Sequence, residues 1–286
     1  MIEAELNPPS PYALAHAAGG RDPTRRLAGG VLDVALRTPA GPARARVWQR
    51  AGGRLGVRLE APDPAEALVR LRFVISADVD HGPFLRMARA DPLLWPLVQR
   101  RPALRPRRRS TVAHALVRAL AGQLVTSVEA AGIERRIVAA ACPRNDGLRA
   151  PPGRADLGRL SPAQLERCGL SPRRAAALAR LARTLDPARL RAAPTAAVVR
   201  RLCAEPGVGP WAAGVVCVEG LGRADAAPVG DLGLIKVCSA LLGRRADADD
   251  TARLLAPYGP WAAYAAAHLL HHPLAHGQAY RAYLAA

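Results

Sequence analysis

Glu205-Pro-Gly-Val-Gly-Pro-Trp-Ala-Ala-Gly214, followed shortly by Val229-Gly-Asp-Leu-Gly-Leu234, is the stretch on which the fold of this chain turns. Gly207 and Gly209 flank one apolar residue, Val208, between two helical patterns. Glycines so placed permit positive φ and let an anionic backbone approach main-chain amides. Pro210 then opens the next helix, whose first N–H groups face the same anion. Such a turn also serves as a plain corner between helices, so its surroundings decide its meaning.

Working outward, Thr195 to Ala204 and Pro210 to Leu221 read as the two helices of this hairpin, and Asp231 opens a third through Leu242. Further helices are expected over Thr111 to Ala131, Glu134 to Ala141, Asp249 to Ala256 and Trp261 to Leu270, with starts at Ser161-Pro and Ser171-Pro. Pro143 to Gly153 reads as a surface loop. Nearer the N-terminus the period changes to two: Leu32, Val34 and Leu36, then Ala45 and Val47, then Leu55, Val57 and Leu59, with Gly/Pro turns between. That is an antiparallel meander. Asp63-Pro-Ala-Glu66 then supplies an N-cap, a first-turn proline and a capping-box acid for a helix through Val74. The expected class is α+β, with a small antiparallel-sheet domain over residues 1–78 and a mostly α domain over 79–286.

The 286 residues carry a formal net charge of +18, which favours a polyanionic partner. Lys236 is the only lysine, and abundant Ala, Arg, Gly and Pro also fit a GC-rich genome, so charge alone does not settle the partner. Cys142, Cys168, Cys203, Cys217 and Cys238 form no C-x-x-C pair, which argues against zinc and iron–sulfur sites and for a reduced compartment. His268, His271, His272 and His276 have no accompanying carboxylate motif, and no metal is expected there. Neither a leader nor a spanning segment is read in the sequence, so a cytoplasmic, nucleoid-associated protein is expected.

Gly207-Val-Gly-Pro-Trp-Ala-Ala213 with Gly230-Asp231 resembles the helix-hairpin-helix signature of DNA glycosylases. Arg101-Pro-Ala-Leu-Arg-Pro106, Ala121-Gly-Gln-Leu-Val-Thr126 and Gly259-Pro-Trp-Ala-Ala-Tyr264 narrow the resemblance to the DNA-3-methyladenine glycosylase II family, which is bacterial alkylation repair. The N-terminal unit fits that family's small TATA-binding-protein-like domain. The resemblance implies a monomer that acts on double-stranded DNA, flips a damaged base from the stack and hydrolyses its N-glycosidic bond in base excision repair. It implies Asp231 as the catalytic carboxylate, which the residues alone also read as the N-cap of the following helix.

Trp211 and Trp261 match positions beside the flipped base, where an electron-rich face attracts a cationic alkylated purine such as 3-methyladenine or 7-methylguanine. Val215 stands where a better-known member has tyrosine, and Gln123 matches a family glutamine that also reads as a buried amide satisfying a loop. Gly207, Val208 and Gly209 are expected to hold DNA. Pro106 or Leu104 is expected to wedge into the emptied stack, with Arg105, Arg107, Arg108 and Arg109 either on phosphate or forming a solvated run. Trp211 replaces the lysine nucleophile of glycosylase–lyases, which implies a monofunctional enzyme. No cofactor is expected beyond a structural monovalent cation at the hairpin, which the resemblance allows. The alternatives are a non-catalytic damage-binding protein and an oxidised-base glycosylase.

Overall fold

The structure is a computed structural model that describes residues 1–142, 144–145 and 147–275; His276 lies outside them. The expected meander is present as β3 (Val31–Thr38), β4 (Gly41–Gln49) and β5 (Leu55–Glu60), flanked by β1 (Ile2–Leu6) and β2 (Arg25–Ala28). The five-stranded antiparallel sheet runs β1-β5-β4-β3-β2. Val34 pairs with Ala45 and Val47 with Val57, so the period-two positions share one face, and all eight are fully buried. The sheet core closes on Ala67, Leu71 and Val74 of a helix at Pro64–Ile75. Asp63 caps that helix by accepting from Glu66 N, but Glu66 turns to Arg70 at 2.7 Å and leaves the capping box open.

In chain order the helices are α1 (Leu14–Ala17), α2 (Pro64–Ile75), α3 (Gly82–Ala88), α4 (Trp95–Arg100), α5 (Val112–Ala121), α6 (Ser127–Ala141), α7 (Arg154–Gly158) and α8 (Pro162–Arg167). There follow α9 (Pro172–Thr184), α10 (Pro187–Ala192), α11 (Thr195–Cys203), α12 (Pro210–Val215), α13 (Leu232–Leu242), α14 (Ala248–Leu255) and α15 (Ala262–Leu269). Pro143 to Gly153 is not all loop, since Arg144–Asn145 and Leu148–Arg149 pair as two short strands. The helices form two cores. One unites α5 to α12; the other joins α3 and α4 to α13, α14 and α15, so residues from both ends of the helical region build one lobe. The five cysteines are free, and no helix among the described residues is long and apolar enough to cross a membrane.

The single helix expected over Thr111 to Ala131 is two. α5 stops at Ala121, and Thr126 restarts the chain as α6 with a complete capping box, Glu129 N to Thr126 Oγ1 at 3.2 Å and Thr126 N to Glu129 Oε2 at 2.9 Å. The left-handed Leu124, φ +56°, ends the first helix, and the closed box satisfies two of the donors that the restart at α6 would otherwise leave open. The expected helix from Glu134 is the second half of α6.

Candidate active site

The hairpin is formed as α11, a turn and α12. Gly207 has φ +100°, and a Cβ there would meet the backbone oxygen of Arg173 at 3.3 Å, so only glycine suits the position. Gly207 O accepts from Gln123 Nε2 at 3.1 Å, and buried Val208 anchors the turn in the first core. Val208 is therefore available to an outside partner through its main chain only. The amides of Gly207 and Gly209 have no protein acceptor among the described residues, which leaves two donors at the start of α12.

Gly214 sets the second half of the site. A Cβ on it would fall 2.1 Å from Ala227 O, so its absence lets the loop before α13 lie directly on α12. That loop ends at Asp231, whose N–H reaches Pro228 O at 3.0 Å while Gly230 N reaches Thr251 Oγ1 at 2.8 Å. Asp231 caps α13 through Oδ1, which accepts from Gly233 N at 2.8 Å. Its other oxygen, Oδ2, accepts from Trp211 Nε1 at 2.9 Å. The carboxylate is thus fixed by two donors with its remaining lone pairs toward an open cleft of about 670 Å³, lined by Trp211, Asp231, Gln123, Leu124, Gly207 and Gly209.

A second cavity of about 450 Å³ adjoins this cleft along α12 and the 228–231 loop. Trp211 lines the outer cleft and Val215, one turn on, lines the inner cavity; Pro228 and Asp231 divide in the same way. Ala263, Ala266 and Leu270 close the far wall from the second lobe. The inner cavity is therefore lined by both helical cores and by Ala15, His16, Gly19 and Gly20 of the N-terminal unit.

The loop expected to wedge DNA borders the inner cavity and not the outer cleft. Leu104 and Arg105 are 8% and 6% exposed, and Arg105 donates to Pro11 O at 2.5 Å and Ser10 Oγ at 3.0 Å while stacking over Tyr12. Leu104, Arg105, Pro106 and Arg107 all line the inner cavity, and of this arginine run only Arg107 keeps an exposed guanidinium with no protein partner among the described residues. Trp261 is also redirected: it lines neither cavity and packs against Tyr264 (5.3 Å) and Phe84 (6.3 Å) in the second core. His268 stacks on Phe84 at 5.4 Å and burial pushes its pKa down to about 3, while His271 faces Arg101 at 2.7 Å and His272 accepts from Leu274 N at 3.1 Å.

Two features escaped the sequence reading. Leu124, between α5 and α6, has φ +56° and is 91% exposed. A left-handed leucine costs on the order of 1–3 kcal/mol and its exposure gains nothing in the free protein, a combination typical of functional positions. Its one sequence signal was membership of Gly-Gln-Leu-Val-Thr126, read there as mid-helix. The second is Arg109, buried at 3%, whose Nη1 pairs with Asp22 at 2.5 Å and Glu134 at 2.9 Å and whose Nε meets Glu219 at 2.9 Å. His114 joins through Glu134 at 2.8 Å and Arg25 through Asp22 at 3.0 Å. This hub bolts the sheet domain to the helices. Asp22, His114 and Glu134 have metal-ligand spacing, but the Arg109 guanidinium already supplies the positive charge between them.

No family model matches the chain. Over 77 residues, 26% of this chain, it is 43% identical to a probable bifunctional transcriptional activator/DNA repair enzyme AlkA of Mycobacterium tuberculosis, and the match spans 15% of that protein's length. Among solved structures, the 3-methyladenine DNA glycosylase from Archaeoglobus fulgidus superposes with TM-score 0.82 at 18% identity, covering 95% of this chain and 98% of that one. The 8-oxoguanine glycosylase/lyase of Clostridium acetobutylicum gives 0.75 at 14% identity, with 95% and 96% covered. A 3-methyladenine DNA glycosylase of Schizosaccharomyces pombe bound to abasic DNA gives 0.54 at 20% identity, with 65% and 94% covered. The chain thus shares the fold of these DNA glycosylases and, over 77 residues, is similar in sequence to a DNA repair enzyme of which the match spans 15%.

Proposed function

We propose that this protein is a monofunctional DNA glycosylase that removes alkylated purines, of the 3-methyladenine and 7-methylguanine type, from double-stranded DNA. The observation that carries the reading is the carboxylate of Asp231 held by Trp211 Nε1 at 2.9 Å on an open cleft whose lining helix, α12, runs on to a second cavity at Val215. The free amides of Gly207 and Gly209 grip a phosphate beside the damaged nucleotide. Exposed Leu124 fills the space left in the stack, and the nucleotide turns out past Trp211 so that its base enters the inner cavity. As the base departs, positive charge develops on the sugar. Asp231, preorganised by its two N–H donors, stabilises that charge and orients the attacking water.

Alkylation supports the selectivity, since a cationic purine is both a better leaving group and more strongly attracted to the Trp211 ring than a neutral one. No amine enters this chemistry: Trp211 stands at the hairpin position that carries lysine in lyases, and Lys236 lines neither cavity. The carbonyls of Glu205, Gly207 and Gly209 each already accept one protein donor and keep one lone pair for the monovalent cation allowed by resemblance. A second reading, an oxidised-guanine glycosylase–lyase, draws on the near full-length likeness to the Clostridium enzyme. Borohydride trapping on lesion and abasic DNA separates the two. The first reading expects released methylated base without a covalent adduct; efficient trapping contradicts it.

A further inference from the structure

The inner cavity holds one carboxylate, and it belongs to a residue for which the catalytic account has no use. Beyond Val215, α12 widens into a π turn, Val216–Gly220, a distortion frequent at functional sites. The wider turn carries the cavity-lining face from Val215 to Val218 and Glu219, while Trp211, a turn before Val215, lines the outer cleft. Glu219 Oε2 accepts from Arg109 Nε at 2.9 Å; its side chain is 13% exposed, and Oε1 accepts no hydrogen bond among the described residues. Burial opposes its charge, but Arg109, then Arg118 and Arg107, more than offset that and hold its pKa below the ordinary glutamate value.

The apolar part of the surrounding wall, Val215, Val218, Pro228, Ala263, Ala266 and Leu270, offers no side-chain donor to that oxygen. An ionised carboxylate only accepts, and a desolvated one recovers its hydration only when a donor or a cation faces it. His16, His271 and three arginines also border the cavity; Arg105 is engaged by Pro11 O and Ser10 Oγ, and Arg101 and Arg107 are exposed, where solvent screens them.

We propose that Glu219 is the specificity-determining residue of the base cavity: it accepts from the N–H edge of the flipped purine and favours cationic, donor-bearing bases over neutral bases without a donor. This rests on the glycosylase reading above and assigns its substrate class to a single side chain.

The test is single-turnover excision from duplexes carrying 7-methylguanine (cationic, two N–H sites), hypoxanthine (neutral, one N–H) or 1,N6-ethenoadenine (neutral, none). Glu219→Gln, which keeps an acceptor for Arg109, is expected to slow 7-methylguanine release about ten- to a hundredfold, hypoxanthine less, and ethenoadenine not at all. Glu219→Asp, which keeps the charge, should preserve the wild-type order of the three bases. Asp22→Asn, which cuts the same Arg109 hub away from the cavity, should lower thermal stability without altering that order. Equal slowing of all three bases by Glu219→Gln, no slowing of any, or a lesion-selective change in Asp22→Asn would overturn the assignment. Wild-type protein that releases none of the three would sink the glycosylase reading, and the assignment with it; wild-type release with an unselective Glu219→Gln would sink the assignment alone.

Discussion

The indole Nε1 of Trp211 donates to Oδ2 of Asp231 at 2.9 Å, so the aromatic residue of the hairpin and the carboxylate of the following helix act as one unit. Trp211→Phe keeps a ring and removes the donor, freeing one oxygen of Asp231. Base release is expected to slow about tenfold, with DNA affinity nearly unchanged, since one hydrogen bond to a charged group is worth about 1.5 kcal/mol. Paired single-turnover and binding titrations check this, and an unchanged rate would show that the bond is idle.

Leu124 is 91% exposed at φ +56°, so its removal should not weaken the fold. Leu124→Asn, which tolerates the left-handed region, is expected to melt at an equal or higher temperature while base release falls about tenfold, as a wedge worth about 1.4 kcal/mol would give. A lower melting temperature with intact release would mark Leu124 as structural instead.

Arg173 is exposed and lines the outer cleft beside the hairpin. Arg173→Ala should weaken binding to damaged and undamaged duplex alike and reduce the slope of log K against log salt by about one. Titrations at several salt concentrations read this directly; loss confined to damaged DNA would place Arg173 on the lesion rather than on phosphate.

Asp22 is buried, yet Arg109 and Arg25 overcome that burial and hold its pKa far below the ordinary carboxylate range. Its unfolded value lies near 3.9, so its share of stability is complete above about pH 4 and is lost as pH falls toward the folded value. Asp22→Asn is therefore expected to cost about 3 kcal/mol between pH 5 and 8, with a difference from wild type that shrinks below about pH 4. Denaturant melts across pH measure it, and a difference that grows in acid would reverse the sign of the argument.

The sequence showed the hairpin and the aspartate because glycine and proline spacing is local: Gly207, Pro210 and Asp231 are read within single turns. The strands were equally plain where one face is buried, as at Leu32, Val34 and Leu36. Edge strand β1 does alternate, Ile2, Ala4 and Leu6 against Glu3 and Glu5, but is a single short run apart from the meander, while in β2 the adjacent Arg25 and Arg26 leave no alternation, charges being common on edges. The break at Leu124 was hidden because Val125 and Val128 continue an apolar run, although Val128 is 57% exposed. Arg105 and Arg109 read as a solvated run because nothing local to them reveals Ser10, Asp22 or Glu134, which arrive only through tertiary structure. Trp261 was placed by resemblance, and its partners Phe84 and Tyr264 turn it into the core.

The central claim is that Asp231 performs the chemistry and does not merely cap α13. It is tested most directly by single-turnover release of 7-methylguanine and 3-methyladenine from methylated duplex DNA by wild type and Asp231→Asn. Asparagine keeps a side-chain oxygen for Gly233 N and removes the charge. The account predicts that the variant folds and binds damaged duplex as wild type does while its release rate falls about a hundred- to a thousandfold. Release at the wild-type rate, or loss of binding with the rate of bound substrate intact, would contradict it.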